Sequence, residues 1–266
     1  MDQPLIVTYD NNPTETTKFF LKTLEKNKWN YKLIGEGETW KGWTTRMDAY
    51  NTFLQTLPDD KVVILTDARD VVCLRGPKAF MKGFQSFKKE IVISMELLCC
   101  GKFDPPEDFR CVQCMPLTEY WKHHSITVLP KRKFVNNGLI AGKVSALKVY
   151  FKWIIEQKFT DDQLALGNYV NAFPELVALD TEAILLHTTS FGVNAGIQSI
   201  HIQKQDSPTF AELFGRGAFF LHIPGCINKG QAVIYDFVKK TLEAGACDAT
   251  LTASYKYPEP EWDEIF

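Results

Sequence analysis

The sequence lacks a dominant charge, a long apolar run, a glycosylation sequon and any linker. Lys and Arg total 30 against 32 Asp and Glu, a formal charge of −2. That excludes a sequence-independent grip on nucleic acid, which needs a basic surface to neutralise phosphates. The densest apolar stretches, residues 61–65 and 150–155, are short and bounded by charge, far below the ~18 residues of a membrane span. The chain begins Met1-Asp2-Gln3-Pro4, without a basic and then apolar leader, so no signal peptide is expected. Asn-x-Ser/Thr does not occur with x other than Pro, which fits a chain that never visits a glycosylating compartment. No repeat, low-complexity tract or Gly/Ser stretch marks a boundary. The expectation is one cytoplasmic domain over 1–266.

What is present is ordinary globular composition, 45% hydrophobic and 23% charged over 266 residues, enough to bury a core. Strand and helix patterns alternate. Leu5–Tyr9 reads as a strand, and Pro13-Thr14-Glu15 opens a helix with Thr17, Phe20, Leu21 and Leu24 at helical spacing. Strand Tyr31–Ile34, helix Thr44–Leu57 and strand Lys61–Thr66 follow. The unbroken Val62-Val63-Ile64-Leu65 suggests burial on both faces, as in a parallel sheet. Helix Pro77–Phe87 and strand Glu90–Ser94 complete a βαβαβαβ order, the signature of an α/β fold. Residues 97–130 show no period and read as a long excursion, which in a compact domain is usually functional or disordered. Order resumes with Phe134–Gly142, helix Val144–Glu156, a short helix after Asp161, strands at Leu176–Leu179, Ile184–His187 and Ala218–His222, and helix Gln231–Leu242. Residues 255–266 form a Pro- and Glu-rich tail.

Four segments carry chemistry. In Thr66-Asp67-Ala68-Arg69-Asp70, two acids three apart follow a buried strand, where open α/β sheets bind ligands. They read as a site for Mg²⁺ or Mn²⁺, or as a turn with one acid capping a helix and the other pairing with Arg69. Asn136-Asn137-Gly138, between apolar runs, reads by itself as a hairpin turn; Gly138 and Gly142 also permit close backbone approach to a ligand. Asp161-Asp162-Gln163 reads as a helix start, which can also present a carboxylate to a pocket. His222 ends a strand, with Gly225 and Lys229 beyond it: imidazole can complete a metal's coordination and Lys can neutralise a diphosphate. Cys99-Cys100 and Cys111-x-x-Cys114 read as free thiols, a disulfide or a zinc site, free thiols being favoured by the compartment. His123-His124 lies nearby, a surface pair or a ligand. Trp40, Trp43, Tyr120 and Trp121 are candidates for stacking on sugar rings or for ordinary packing.

The order of these segments is more informative than any one of them. It resembles the GT-A sugar-nucleotide glycosyltransferases, and most closely the glycosyltransferase domain of procollagen lysyl hydroxylases and its relatives in large DNA viruses. The resemblance rests on Val63-Ile64-Leu65-Thr66-Asp67-Ala68-Arg69-Asp70-Val71, Ser94-Met95-Glu96, Asn137-Gly138-Leu139-Ile140-Ala141-Gly142, Asp161-Asp162-Gln163-Leu164 and Leu179-Asp180. It runs from about Leu5 to Lys240. It implies a single GT-A, Rossmann-like α/β domain with a mixed, mostly parallel central sheet flanked by helices. It also implies transfer of a hexose or pentose from UDP-glucose, UDP-galactose or UDP-xylose to a hydroxyl of a glycan or protein, in a viral enzyme acting in the host cytoplasm.

Carried over by position, Asp67, Asp70 and His222 would hold Mn²⁺ (or Mg²⁺) against the diphosphate. Val7, Thr8 and Tyr9 would line the uridine, with Arg46, Ala68 and Arg69 close to the nucleotide. Gly225 and Lys229 would approach the β-phosphate. Glu96, Asn137, Gly138, Asp161, Asp162 and Gln163 would face the sugar and acceptor, with Asp161 or Asp162 as the base if the reaction inverts. Three departures stand out: Lys229 lies seven residues after His222 where relatives have six, Ala68-Arg69 replaces an aromatic, and Asn137 replaces a glycine. Two other readings compete with this one, a sugar-1-phosphate nucleotidyltransferase and an inactive sugar-nucleotide-binding module. The first wants a Gly-rich basic loop after the first strand, where this chain has Asp10-Asn11-Asn12-Pro13.

Overall fold

The run Val62–Leu65 is buried on both sides because helices cover both faces of the sheet it belongs to. Val63 and Leu65 point into one core, Val62 and Ile64 into the other, as alternating strand side chains must. The computed structural model describes residues 3–97, 115–189, 217–224 and 229–243. The four clustered cysteines, Gly225 and the tail lie outside the described residues.

In chain order the elements are β1 (Leu5–Tyr9), α1 (Glu15–Lys26), β2 (Asn30–Ile34), α2 (Trp43–Leu54), β3 (Val62–Thr66) and β4 (Val71–Cys73). A 3-10 turn, Pro77–Ala79, leads into α3 (Phe80–Ser86). Then come β5 (Ile91–Glu96), α4 (Thr118–His123), β6 (Phe134–Lys143), α5 (Val144–Glu156), α6 (Asp162–Ala172), β7 (Val177–Asp180), β8 (Leu186–Thr188), β9 (Phe220–His222) and α7 (Lys229–Glu243). The nine strands form one sheet in the order β2-β1-β3-β6-β5-β8-β9-β4, with β7 pairing β5 off this path. It is mixed and mostly parallel: β1 is parallel to β2 and β3, β5 to β7 and β8, and β8 to β9.

Three features differ from the sequence reading. β6 is antiparallel to both neighbours, β3 and β5. Asn137-Gly138 therefore makes no hairpin: the strand runs straight through it, with a register shift opposite Ile93 and Met95. Asn136 Oδ1 accepts the Gly138 N–H at 2.8 Å, a local side-chain substitute for a ladder bond. β4, only three residues long, follows directly on the Asp-x-x-Asp and pairs antiparallel with β9. The expected 97–130 excursion contains a helix, α4, whose Tyr120 and Trp121 are core residues.

Because β6 is antiparallel, its N-terminal half lies at the edge where β1, β3, β5, β8 and β9 end. Asp10, Asp67, Glu96, Asn136 to Gly138, Thr188 and His222 are thus gathered along one edge. Among the described residues, no helix is long and apolar enough to cross a membrane.

Candidate functional site

Asp67 and Asp70 sit on the turn between β3 and β4. The turn is pinned from both sides: the Asp67 N–H donates to the Gly138 carbonyl at 2.9 Å, and the Ile223 N–H donates to the Asp70 carbonyl at 2.8 Å. The second bond brings the end of β9 beside the turn. His222 Nε2 then lies 3.5 Å from Asp67 Oδ2 and 3.6 Å from Asp70 Oδ2. His222 is 2% exposed, and Nε2 makes no hydrogen bond. A buried imidazole nitrogen without a hydrogen bond is costly. Here it faces two carboxylates, and the three ligand atoms lie within 4.8 Å of one another. Two hard oxygens and one nitrogen in that space fit a divalent cation.

The electrostatics agree with that fit. Burial alone would lower the His222 pKa, but the carboxylates of Asp70, Asp67 and Glu96 outweigh it and the pKa is raised. Burial pushes the Glu96 carboxyl up to about 7, against the pull of its hydrogen bond with Asn136 and of His222.

Gly138 explains why the ring fits. A Cβ there would stand 2.2 Å from His222 Cε1 and 2.5 Å from Nδ1. The imidazole occupies the space any side chain would take.

Arg46, from α2, supplies the buried cation. Its guanidinium bonds Asp67 Oδ1 and Asp162 Oδ2, with Nε at 2.9 Å from the latter. Its Cζ lies 4.9 Å from the centre of the Trp43 ring. Burial opposes the charge, but Asp67 and Asp162 raise the Arg46 pKa. Burial raises the Asp162 carboxyl above its ordinary range, with Arg46 pulling it back.

The model of the PLOD GT domain family matches residues 1–174. The chain belongs to that family. It is a glycosyltransferase domain, and the match spans β1 through α6, including Arg46, Asp67, Asp70 and Asp162 but not His222. No curated protein sequence matches significantly. Among solved structures, one similar to this PLOD GT domain is a glycosyltransferase involved in the glycosylation of the major capsid of PBCV-1, with TM-score 0.48 and 13% identity, over 88% of this chain and 98% of that one. Two others are A197 from STIV, with TM-score 0.37 and 14% identity over 67% and 81%, and 4-diphosphocytidyl-2C-methyl-D-erythritol synthase from Anaerococcus prevotii DSM 20548, with TM-score 0.36 and 11% identity over 66% and 88%.

Several residues expected at the site already have partners within the protein. Val7 is a fully buried core residue. Thr8 is fully buried too, and its hydroxyl donates to the Thr66 carbonyl at 3.0 Å. Tyr9 is 6% exposed and donates to Glu38 at 3.3 Å. Ala68 is 4% exposed. Arg69 turns to Asp10, with bonds of 2.7 and 3.1 Å, and to the Asn12 carbonyl. Thr17 donates to the same Asp10 carboxylate at 2.6 Å, so this network fixes α1 against the β3–β4 turn.

Both ends of the Gln163 amide are held within the protein. Its oxygen accepts the Asn137 N–H at 2.8 Å and its nitrogen donates to the Val135 carbonyl, tying α6 to β6. Asp161 caps α6, accepting the Leu164 N–H at 2.8 Å. Lys229 opens α7, and Gly225 lies outside the described residues. Tyr120 and Trp121 are buried, while Trp40 and Trp43 are the exposed aromatics, packed edge to face. His124 is held by the Pro174 carbonyl at 3.0 Å.

Sequence reasoning missed Thr188 and gave Ser94 no role beyond a matching motif. It also left Asp180 without a mechanism: its carboxylate accepts the N–H groups of Ile184, Leu185 and Leu186 at 2.7 to 2.9 Å. The turn from β7 to β8 is built on that carboxylate, and burial still pushes it up to about 6.

Proposed function

We propose that this glycosyltransferase moves a hexose or pentose from a UDP-sugar to a hydroxyl of a glycan or protein acceptor. The donor in this reading is UDP-glucose, UDP-galactose or UDP-xylose, and Asp67, Asp70 and His222 hold Mn²⁺ or Mg²⁺. The observation that carries it is the buried Nε2 of His222, without a hydrogen bond and facing two carboxylates. A divalent cation bound there would stabilise the charge that grows on a departing diphosphate. The chain's own residues prepare that place. Arg46 holds Asp67 in position and Gly138 leaves room for the ring. Asp161 and Asp162, at the start of α6, are the proposed carboxylates for the acceptor side. In an inverting reaction one of them takes the acceptor's proton; in a retaining one the leaving phosphate can take it.

Calorimetric titration with UDP, with and without Mn²⁺, tests this on the wild type and on Asp70→Ala. The expected result is micromolar affinity that needs Mn²⁺ and is lost in the variant. Equal binding without the metal and in Asp70→Ala overturns the reading.

A further inference from the structure

Thr188 and His222 are register partners on parallel β8 and β9, so their side chains leave the sheet on one face. Thr188 Oγ1 lies 3.4 Å from His222 Nδ1. On its other side it lies 2.7 Å from Ser94 Oγ, and Ser94 Oγ donates to the Leu186 carbonyl at 3.3 Å. Ser94, Thr188, Leu186 and His222 are all buried, so water does not compete along this chain.

The chain has one polarity. A carbonyl oxygen only accepts, and each hydroxyl has a single proton to give. Ser94 spends its proton on Leu186. Thr188 must then give its own to Ser94. The Thr188 oxygen is left to accept, and what faces it is Nδ1 of His222. The acceptor end is itself fixed, because the Leu186 N–H is held by Asp180 at 2.9 Å.

We propose that Ser94 and Thr188 are positioning residues that hold His222 as the Nδ1–H tautomer, leaving the Nε2 lone pair aimed between Asp67 and Asp70. This rests on the cation-binding reading of the site. A ring nitrogen that ligates a metal commonly has its tautomer set by a bond at the other nitrogen. Here the bond is made by a hydroxyl pair that ends on a strand carbonyl. Gly138 closes the ring's remaining side, so rotation out of this orientation meets backbone.

Histidine-selective ¹⁵N labelling and NMR of the metal-free chain, with neutral imidazole, test the inference. His222 is expected as Nδ1–H in the wild type and in Thr188→Ser. Thr188→Val removes the acceptor and abolishes that signature. Ser94→Ala frees the Thr188 proton to turn toward Nδ1, and moves His222 toward the Nε2–H form. Mn²⁺ affinity, read by calorimetry, is expected to fall about 10- to 100-fold in Thr188→Val and Ser94→Ala, and to stay near wild type in Thr188→Ser. Circular dichroism and melting check that each variant folds, and the wild-type tautomer decides the question even if one does not. An Nε2–H wild type overturns the inference. So do Thr188→Val and Ser94→Ala if both keep the wild-type signature and its Mn²⁺ affinity. A wild type that is Nδ1–H yet binds no Mn²⁺ sinks the metal reading while the tautomer assignment stands.

Discussion

Gly138→Ala is the smallest change that reaches the centre of the site. The new Cβ would stand 2.2 Å from His222 Cε1, 2.5 Å from Nδ1 and 2.8 Å from Nε2. Ordinary contact begins near 3.4 Å, so the ring must retreat by about 1.2 Å. Backbone conformation is not the obstacle, since Gly138 is not among the glycines with positive φ. The obstacle is space: His222 is 2% exposed and its strand is paired on both sides. Overpacking of this kind costs ~1–3 kcal/mol, read as a melting temperature several degrees lower. On the proposed function, the larger effect falls on the cation. Metal–ligand distances tolerate only ~0.2 Å, so a ring displaced by about 1.2 Å ceases to be a ligand. Mn²⁺ titration should show affinity close to that of His222→Ala. If Gly138→Ala binds Mn²⁺ as the wild type does and melts at the same temperature, the packing argument is wrong.

Glu96 gives a pH signature. Its folded-state pKa is raised from 4.5 to about 7, so between those values the folded chain holds a proton the unfolded chain has lost. Stability is therefore fully present below pH 4.5 and falls as pH rises towards 7, by at most ~3 kcal/mol. Asp180 adds a fall from 3.8 to about 6, but Glu96→Gln shares it. The difference between wild-type and Glu96→Gln denaturation curves across pH 4 to 8 isolates the Glu96 part, and a flat difference refutes it. Asp161 separates a structural role from a chemical one. Asp161→Ala should cost ~1 kcal/mol through the lost helix cap, while Asp161→Asn keeps the cap. If Asp161 is the base, Asp161→Asn melts like wild type and loses turnover; full turnover removes it from that role.

The elements that were legible in the sequence are those whose signal is local. α5 matches its expected span, Val144–Glu156, because Leu147, Tyr150, Phe151 and Ile154 keep one face apolar along the helix. β3 was legible because burial on both faces demands an unbroken apolar run. β4 was not: Val71-Val72-Cys73 is too short to show a period, and only β9 gives it a partner. The hairpin alternative at Asn137-Gly138 fails for a definite reason. Asn-Gly is a strong hairpin signal in isolation, but at Gly138 the glycine is required by a ring 84 residues further along the chain. The pairs Arg46–Asp162 and Thr188–His222 have no sequence signal at all, since both depend on which strands and helices become neighbours.

The charges at the strand ends show why these pairs matter together. Asp10 is matched by Arg69: burial raises its carboxyl, yet Arg69, Thr17 and the Asn12 N–H hold it below the ordinary range. That pair is complete. In the neighbouring group Asp67 and Asp162 share the Arg46 guanidinium, while Asp67 and Asp70 face the His222 ring. Enclosed carboxylates in excess must take up a proton or a cation. The proton solution fits the raised pKa of His222, where the carboxylates of Asp70, Asp67 and Glu96 outweigh burial. A divalent cation between Asp67, Asp70 and Nε2 would remove the need for it. The antiparallel course of β6 makes this choice possible, because it brings Gly138 rather than a side chain to the His222 ring. A side chain there would push the imidazole off the two aspartates and leave protonation as the only way to balance them.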